Sequence, residues 1–221
     1  MYSGIPELCS TFASLAVLEG DPTVLYLETA NHLIKGFAGK RLNSSIYSYL
    51  SSSRESNVCN VGTISGIVKM FQKTSAFSLI SFVGGLRNIE KFNKIDASKT
   101  SGVSLIEIAK THILALIVES FAIQIETTSN PAISNVLMNL FKLFAYSKIL
   151  ENAKIFFQAN AINALDLVEV KKGLNFALEI LHKEAFSLVE AFGYQEETLA
   201  SALVFGDGKL YERLFDWASK H

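Results

Sequence analysis

The sequence predicts an all-α chain, an antiparallel bundle of long helices. Over most of its 221 residues, apolar side chains recur at intervals of three and four, the spacing of a helix that buries one face. The alternation typical of strands is absent over any useful length. Two of the three prolines follow a helix-capping side chain, in Asp21-Pro22 and Asn130-Pro131, and proline is favoured at the first position of a helix.

The first helical pattern begins at Pro22, and Gly39 provides its stop. Its apolar positions are Val24, Leu27, Ala30, Ile34 and Phe37. Residues 40–63 break the pattern with many serines and asparagines, which predicts a linker. Helical spacing resumes near Ile64 and continues to Phe92, with Gly84-Gly85 as a weak point.

Residues 93–103 are polar and predict a loop. Ser104, with Glu107 three residues later, matches a capping box and predicts the start of another helix. The buried face predicted for this helix is Leu105, Ile108, His112, Ala115, Val118 and Ile125. Downstream, the pattern predicts long helices over about 131–158 and 167–192, a stop at Gly193, and short helices near 196–203 and 209–219.

Composition excludes several classes of function. With 20 basic and 21 acidic residues, the chain has no broad electrostatic footprint for nucleic acid or an anionic membrane. The longest apolar run, residues 113–125, carries Glu119 in its middle and predicts a core helix rather than a membrane span. The apolar content of 49% indicates a chain that is buried against a partner or is part of a larger protein.

The metal-binding residue types are sparse. Cys9 and Cys59 are the only cysteines, so there is no disulfide framework and no metal-ligand spacing, which fits a reducing compartment. His32, His112 and His182 each lie in a helical pattern without a second ligand nearby. We interpret them as core or surface histidines, and no metal site is predicted.

The C-terminal residues carry the most distinctive pattern. Ala191-Phe192 is followed by L-x-S-x-L at 199–203 and by D-G-x-x-Y-E-x-L-F-x-W-A at 207–218. This pattern resembles the C-terminal signature of acyl-CoA oxidases. Asp207-Gly208 is expected to form a turn, and the aromatic residues are expected to pack the last helix, so no chemistry is assigned to them.

A second resemblance lies near the N-terminus. Residues 2–6 (Y-S-G-I-P) and 19–30 (E-G-D-P-T-V-L-Y-L-E-T-A) resemble the S-G-L-P and F-E-G-x-N-T-V-x-x-x-Q-T-A elements of the same family. The chain departs from the family pattern at three positions. Pro22 replaces asparagine, Glu28 replaces glutamine, and Val204 replaces a glycine.

The resemblance implies an FAD-dependent reaction on a fatty acyl-CoA substrate, with Glu19 as the catalytic base. A carboxylate suits this role, because the proton α to a thioester is weakly acidic and burial raises a carboxyl pKa towards the working range. Gly20, Thr23 and Glu28 would lie beside the flavin, although Glu28 lacks the two donors of the amide it replaces. Taken alone, Glu19 has a simpler interpretation, because the helix dipole favours an acidic residue before a helix start.

The resemblance also implies an organisation. Residues 1–39 would end an acyl-CoA dehydrogenase-like helical domain and hold the base loop, 40–63 would be a linker, and 64–221 would be the C-terminal helical domain. The chain would be part of a longer, homodimeric, peroxisomal oxidase, and would not bind FAD stably or oxidise acyl-CoA alone. It ends in Ser-Lys-His rather than the peroxisomal Ser-Lys-Leu.

A different class of function stays open, a non-catalytic helical assembly module derived from an acyl-CoA oxidase. The departures at positions 22, 28 and 204 favour it. The reading frame of the parent gene discriminates between the two hypotheses. A flavin-binding β-domain encoded upstream would favour the enzyme, and a native start at Met1 would favour the assembly module.

Overall fold

A computed structural model describes residues 4–18, 20–38, 49–52, 59–92, 102–195, 199 and 201–220. Over these residues the chain is helical and has no strand, so the predicted all-α class is confirmed. The helices are α1 (Ile5–Leu18), α2 (Pro22–Ala38), α3 (Tyr49–Ser52), α4 (Ile64–Phe92), α5 (Gly102–Thr127), α6 (Pro131–Glu151), α7 (Ala153–Gln158), α8 (Ala164–Glu190) and α9 (Leu210–Ser219).

The chain divides into two compact units. The larger unit is Thr23–Glu184, and the smaller unit combines Met1–Pro22 with Ala185–His221. The division expected from the sequence, into 1–39, 40–63 and 64–221, stays a prediction.

The core of the larger unit is built on pairs of aromatic rings. Phe71 and Phe156 meet edge to face with their centroids 5.0 Å apart, and Phe121 and Phe141 do so at 5.6 Å. This arrangement sets the positive edge of one ring against the negative face of the other. Aliphatic side chains from α4, α5, α6 and α8 complete this cluster, including Ile67, Met70, Val118, Ile149 and Val170. A second cluster joins α2 and α3 to α4 and α5 through Ala30, Leu33, Leu50, Leu79 and Ile108.

The burial pattern of α5 confirms the face that the sequence predicted. All six predicted positions are buried: Leu105, Ile108, His112, Ala115, Val118 and Ile125. The capping box predicted at Ser104 is wrong, because α5 already begins at Gly102. Ser104 lies in the first helical turn, where the backbone N–H groups still lack intrahelical partners and a polar residue is well tolerated.

The starts of α6 and α8 follow from their capping side chains. The predicted cap at Asn130 is confirmed, since its side-chain oxygen accepts from the N–H groups of Ala132 and Ile133. Helix α8 begins at Ala164, three residues earlier than predicted. Asn163 accepts from the N–H of Asp166 at 3.0 Å, and the Asp166 carboxylate accepts from the N–H of Asn163 at 2.8 Å. This reciprocal cap was missed in the sequence.

Several other boundaries differ from the predictions. Helices α1 and α3 were not predicted, and Gly84-Gly85 does not interrupt α4. The helix predicted over 131–158 is divided at Asn152 into α6 and α7. Of the helix predicted near 196–203, residue 199 is helical, residues 196–198 and 200 lie outside the described residues, and residues 201–203 are not helical.

A tyrosine fixes the loop that leads into α4. Tyr146 of α6 is buried, and its hydroxyl donates to the carbonyl oxygen of Val61 at 2.8 Å. Gly173 makes room for this ring, because a Cβ atom there would lie 2.5 Å from the Tyr146 Cε2 atom. Residues 59–62 are therefore held in place by α6, and α6 packs closely against α8 at Gly173.

We expect Gly66→Ala to lower the free energy of unfolding of the larger unit by about 2 kcal/mol net. A Cβ at this buried position would lie 2.0 Å from the Asn60 carbonyl oxygen and 2.7 Å from Thr63 Oγ1. Neither obstacle can move freely. Thr63 accepts from the N–H of Gly66 at 3.1 Å, and the loop that carries Asn60 is tied to Tyr146 through Val61. Urea unfolding followed by circular dichroism measures the change.

Gly84→Ala is the matched control, because Gly84 lies in the same helix and a Cβ there has no neighbour within 4 Å. Alanine stabilises a helix interior by about 0.5–1 kcal/mol relative to glycine. Gly66→Ala should therefore lower the free energy of unfolding, and Gly84→Ala should raise it. Equal stabilisation by both would show that Gly66 is not sterically required.

Candidate functional site

The segment between α1 and α2 contains Gly20, one of the three predicted flavin contacts. Gly20 has φ of +107°, a backbone conformation that side chains other than hydrogen rarely adopt. Glu19, the predicted catalytic base, lies outside the described residues, so its role stays a prediction.

Helix α2 presents the other two predicted residues. Thr23 lies in its first turn and Glu28 in its second, and both side chains are exposed. Five residues along an α-helix correspond to about 140° around its axis and about 7.5 Å along it, so the two side chains do not share one face. Glu28 lies on the side opposite to Ala30 and Leu33, which are buried in the larger unit.

The start of α2 is the positive end of a helix dipole, which favours polar or anionic groups. The first N–H groups of a helix have no intrahelical partner, and the dipole makes this end positive. Pro22 removes one of these donors. Thr23 adds a hydroxyl, which both donates and accepts, whereas an ionised Glu28 can only accept.

Sequence reasoning missed a buried polar cluster in the larger unit. The Tyr49 hydroxyl of α3 hydrogen-bonds Ser75 Oγ of α4 at 2.9 Å and His112 Nδ1 of α5. The rings of Tyr49 and His112 also stack, with centroids 5.9 Å apart. Burial lowers the pKa of His112 to about 4, so the imidazole is neutral at physiological pH.

This cluster could not be found from spacing. Tyr49 and His112 are 63 residues apart, and Tyr49 lies in a stretch predicted to be a linker. The interpretation of His112 as a core histidine is confirmed by its burial. The cluster joins three helices through groups that satisfy one another, and we assign it a structural role.

The Asp-Gly of the C-terminal signature forms the predicted turn. Gly208 has φ of +73°, and the Asp207 carboxylate accepts from the N–H of Lys209 at 3.1 Å. Arg213 donates two hydrogen bonds to this carboxylate, at 2.6 and 3.2 Å, and its guanidinium lies 3.8 Å from the centroid of the Phe205 ring. Arg213 lowers the pKa of Asp207, and the Lys209 N–H adds to this effect. These contacts fix the start of α9.

Within the described part of the chain, no three His, Cys, Asp or Glu side chains converge in a group that could hold a metal ion. Among the helices of that same part, none has the length and apolar character that crossing a bilayer requires. Cys9 is exposed, and burial raises the pKa of the half-buried Cys59 thiol.

Comparison with known proteins identifies the family to which this chain is similar. The family model described as acyl-CoA oxidase matches residues 63–221. Peroxisomal acyl-coenzyme A oxidase 1 of Cavia porcellus is 29% identical over 237 residues, covering 99% of this chain and 35% of its own length.

Solved structures show the same fold. Acyl-CoA oxidase 3 of Yarrowia lipolytica superposes with a TM-score of 0.88 at 18% identity, over 99% of this chain and 33% of its own. Acyl-CoA oxidase-2 of Caenorhabditis elegans, bound with FAD, ascaroside-CoA and ATP, gives a TM-score of 0.81 at 26% identity, over 92% and 31%. This chain therefore spans about a third of the length of the relatives it matches. It belongs to the acyl-CoA oxidase family.

Proposed function

We propose that this chain is the C-terminal part of an FAD-dependent acyl-CoA oxidase. The whole protein converts fatty acyl-CoA and oxygen into trans-2-enoyl-CoA and hydrogen peroxide, the oxidising step of fatty-acid β-oxidation. The observation that supports this most is similarity to a curated oxidase over 99% of the chain, because so wide a match reaches well beyond the C-terminal domain into the E-G-D-P segment. The C. elegans relative bound with FAD and ascaroside-CoA supports the cofactor and the substrate class.

In this proposal Glu19 takes the proton from the carbon next to the thioester carbonyl. The carboxylate must meet that carbon in a dry pocket, since desolvation raises its pKa and makes it a stronger base. FAD, held in part by Gly20, Thr23 and Glu28, would supply the acceptor for the hydride of the β-carbon and the route of the electrons to oxygen. Loss of the α-proton and of the β-hydride leaves a double bond between the two carbons.

The described residues fit a flavin at the start of α2 in part. Gly20 has the conformation of a glycine turn, and Thr23 offers a hydroxyl in the first turn of the helix. The exposed Glu28 carboxylate can accept from an N–H group of the ring system but cannot donate to its carbonyls. We propose Gly20, Thr23 and Glu28 as flavin contacts, with weaker binding at Glu28 than an amide would give.

The test is expression of the full open reading frame that encodes this chain, alongside the 221-residue chain alone. The full protein should purify with a flavin spectrum and release peroxide when given acyl-CoA. The 221-residue chain should show neither, because the remaining two thirds of its relatives would supply most of the flavin and acyl-CoA contacts.

Turnover by the 221-residue chain would show that the rest of the protein is not needed for the flavin and acyl-CoA contacts. A full protein without bound flavin or peroxide release would contradict the oxidase proposal and favour the assembly module. The extensive exposed apolar surface of α8 is the observation that keeps this second function open.

We also propose that the protein pairs as a homodimer and works in the peroxisome. Helix α8 buries Val170, Ala177 and Leu181 on one side. On the other side it exposes Leu165, Val168 and Phe176, the last at 62%. Exposed aromatic and aliphatic side chains of this kind are typical of an interface core. The relatives are named peroxisomal, which supports the location.

Phe176→Glu should weaken the dimer of the full protein by about tenfold or more, because a buried, unpaired charge would replace an apolar contact. Sedimentation equilibrium measures the dissociation constant. Gln124→Glu, which adds the same single negative charge at an exposed position of α5, is the charge-matched control and should change it little. Equal effects from both variants would point to general repulsion rather than loss of an apolar contact.

A further inference from the structure

We propose that the larger unit binds a small, uncharged hydroxyl compound with an apolar body, such as a substituted phenol, in a cavity lined by α4, α5 and α7. The cavity has a volume of about 220 Å³. A dry cavity of about 150 Å³ in a protein can hold benzene, so this space admits a substituted ring. Gly20, Thr23 and Glu28 do not line the cavity, so this site is separate from the proposed flavin contacts.

The cavity has an apolar floor and an open mouth. Phe71 and Phe156 line it and are almost completely buried, at 1% and 2% exposure. Val103, which also lines it, is 84% exposed. A ligand that enters past Val103 reaches two aromatic rings, and an aromatic body packs well against ring edges and faces. The floor therefore selects an apolar, preferably aromatic, body.

The polar side chains of the cavity select a hydrogen-bond donor. Thr74, Thr111 and Asn152 each donate to a backbone carbonyl in the preceding helical turn, at 2.8, 3.0 and 2.9 Å respectively. The hydroxyl donors of Thr74 and Thr111 and one N–H of Asn152 are used within the helices, so two hydroxyl oxygens and the amide oxygen remain as acceptors and one amide N–H remains as a donor. A ligand that fills the cavity without a donor leaves these acceptors without water or a partner.

The charges at the mouth favour an uncharged ligand. Glu107 and Lys110 both line the cavity and are exposed, so their opposite charges offset each other and give a charged ligand no net attraction to balance the loss of its hydration. A hydroxyl group carries no charge that must be desolvated. It donates to the acceptors of the cavity wall, and its oxygen can accept from the Lys110 ammonium.

The probe pair is p-cresol and its methyl ether, which share the ring and differ in the donor. In NMR titrations of the 221-residue chain, p-cresol should bind about tenfold tighter than the ether and shift the signals of Ile106, Leu114 and Ile155. Thr111→Val keeps the shape but removes an acceptor, and should reduce this preference to about threefold. Ile106→Trp should fill the cavity and abolish binding, whereas Ile123→Trp, on an exposed part of α5, should leave it intact.

Three results would overturn the proposal: equal affinities for p-cresol and the ether, signal changes confined to residues outside the cavity, or full binding by a folded Ile106→Trp chain. If Ile106→Trp does not fold, as judged by circular dichroism, the preference measured with Thr111→Val decides. Because the readout is binding to this chain, the result does not depend on whether the full protein is an oxidase.

Discussion

Replacing Glu19 by glutamine in the full protein is expected to lower kcat about a thousandfold while the bound flavin spectrum stays unchanged. Glutamine has nearly the same shape but cannot take up the α-proton of the thioester. General bases contribute roughly 10²–10⁴-fold to rates, and the low acidity of this proton argues against the bottom of that range. The measurement is peroxide release under saturating acyl-CoA, together with the absorption spectrum of each purified variant.

Glu7→Gln is the control, because Glu7 is an exposed carboxylate in the first turn of α1. It should leave kcat unchanged. The non-catalytic interpretation of Glu19 predicts a different pattern. A carboxylate that only complements the dipole of α2 contributes about 0.3–1 kcal/mol to stability. Glu19→Gln would then lower the melting temperature slightly and leave kcat at its original value.

The fold was predictable where the determining interactions are local. The Asn130-Pro131 pair predicted the start of α6, and the three- and four-residue spacing predicted six of the nine buried positions of α5. The failures also have local causes. Asn163 and Asp166 cap each other, and this reciprocal cap starts α8 before its apolar pattern begins. Gly84-Gly85 was predicted to be a weak point of α4, because glycine has a low helix propensity. The helix nevertheless continues through both residues to Phe92.

The candidate site was inferred only from short motifs. The start of α2 at Pro22 follows from the Asp21-Pro22 pair and is confirmed, whereas the flavin contacts of Gly20, Thr23 and Glu28 stay predictions. The cavity beside Phe71 and Phe156 gave no signal in the sequence, because residues of distant helices form it. The Tyr49–Ser75–His112 cluster was hidden for the same reason. A single histidine in an apolar pattern predicts burial but not its partners.

Acidification is expected to destabilise the larger unit through His112, by about 3 kcal/mol between pH 6.5 and pH 4. In the unfolded chain this imidazole has a pKa of about 6.5, and in the folded chain burial lowers the pKa to about 4. Between these values the unfolded state binds more protons, so stability rises with pH. The neutral His112 imidazole makes its full contribution to the free energy of unfolding above pH 6.5, and this contribution is lost as the pH falls towards 4.

Urea unfolding at half-unit steps from pH 4.5 to 7.5 measures this slope, and NMR titration of the ring protons measures the pKa directly. His112→Gln keeps a polar side chain near Tyr49 but has no proton to gain. The unfolding free energy of this variant should therefore fall less steeply with decreasing pH than that of the parent chain. His182→Gln, which replaces an exposed histidine of α8, should keep the original slope. Identical slopes for His112→Gln and the parent chain would mean that other groups cause the acid sensitivity. In that case, protonation of the His112 imidazole would not weaken the packing of α3, and the Tyr49 contacts would hold this helix in both protonation states.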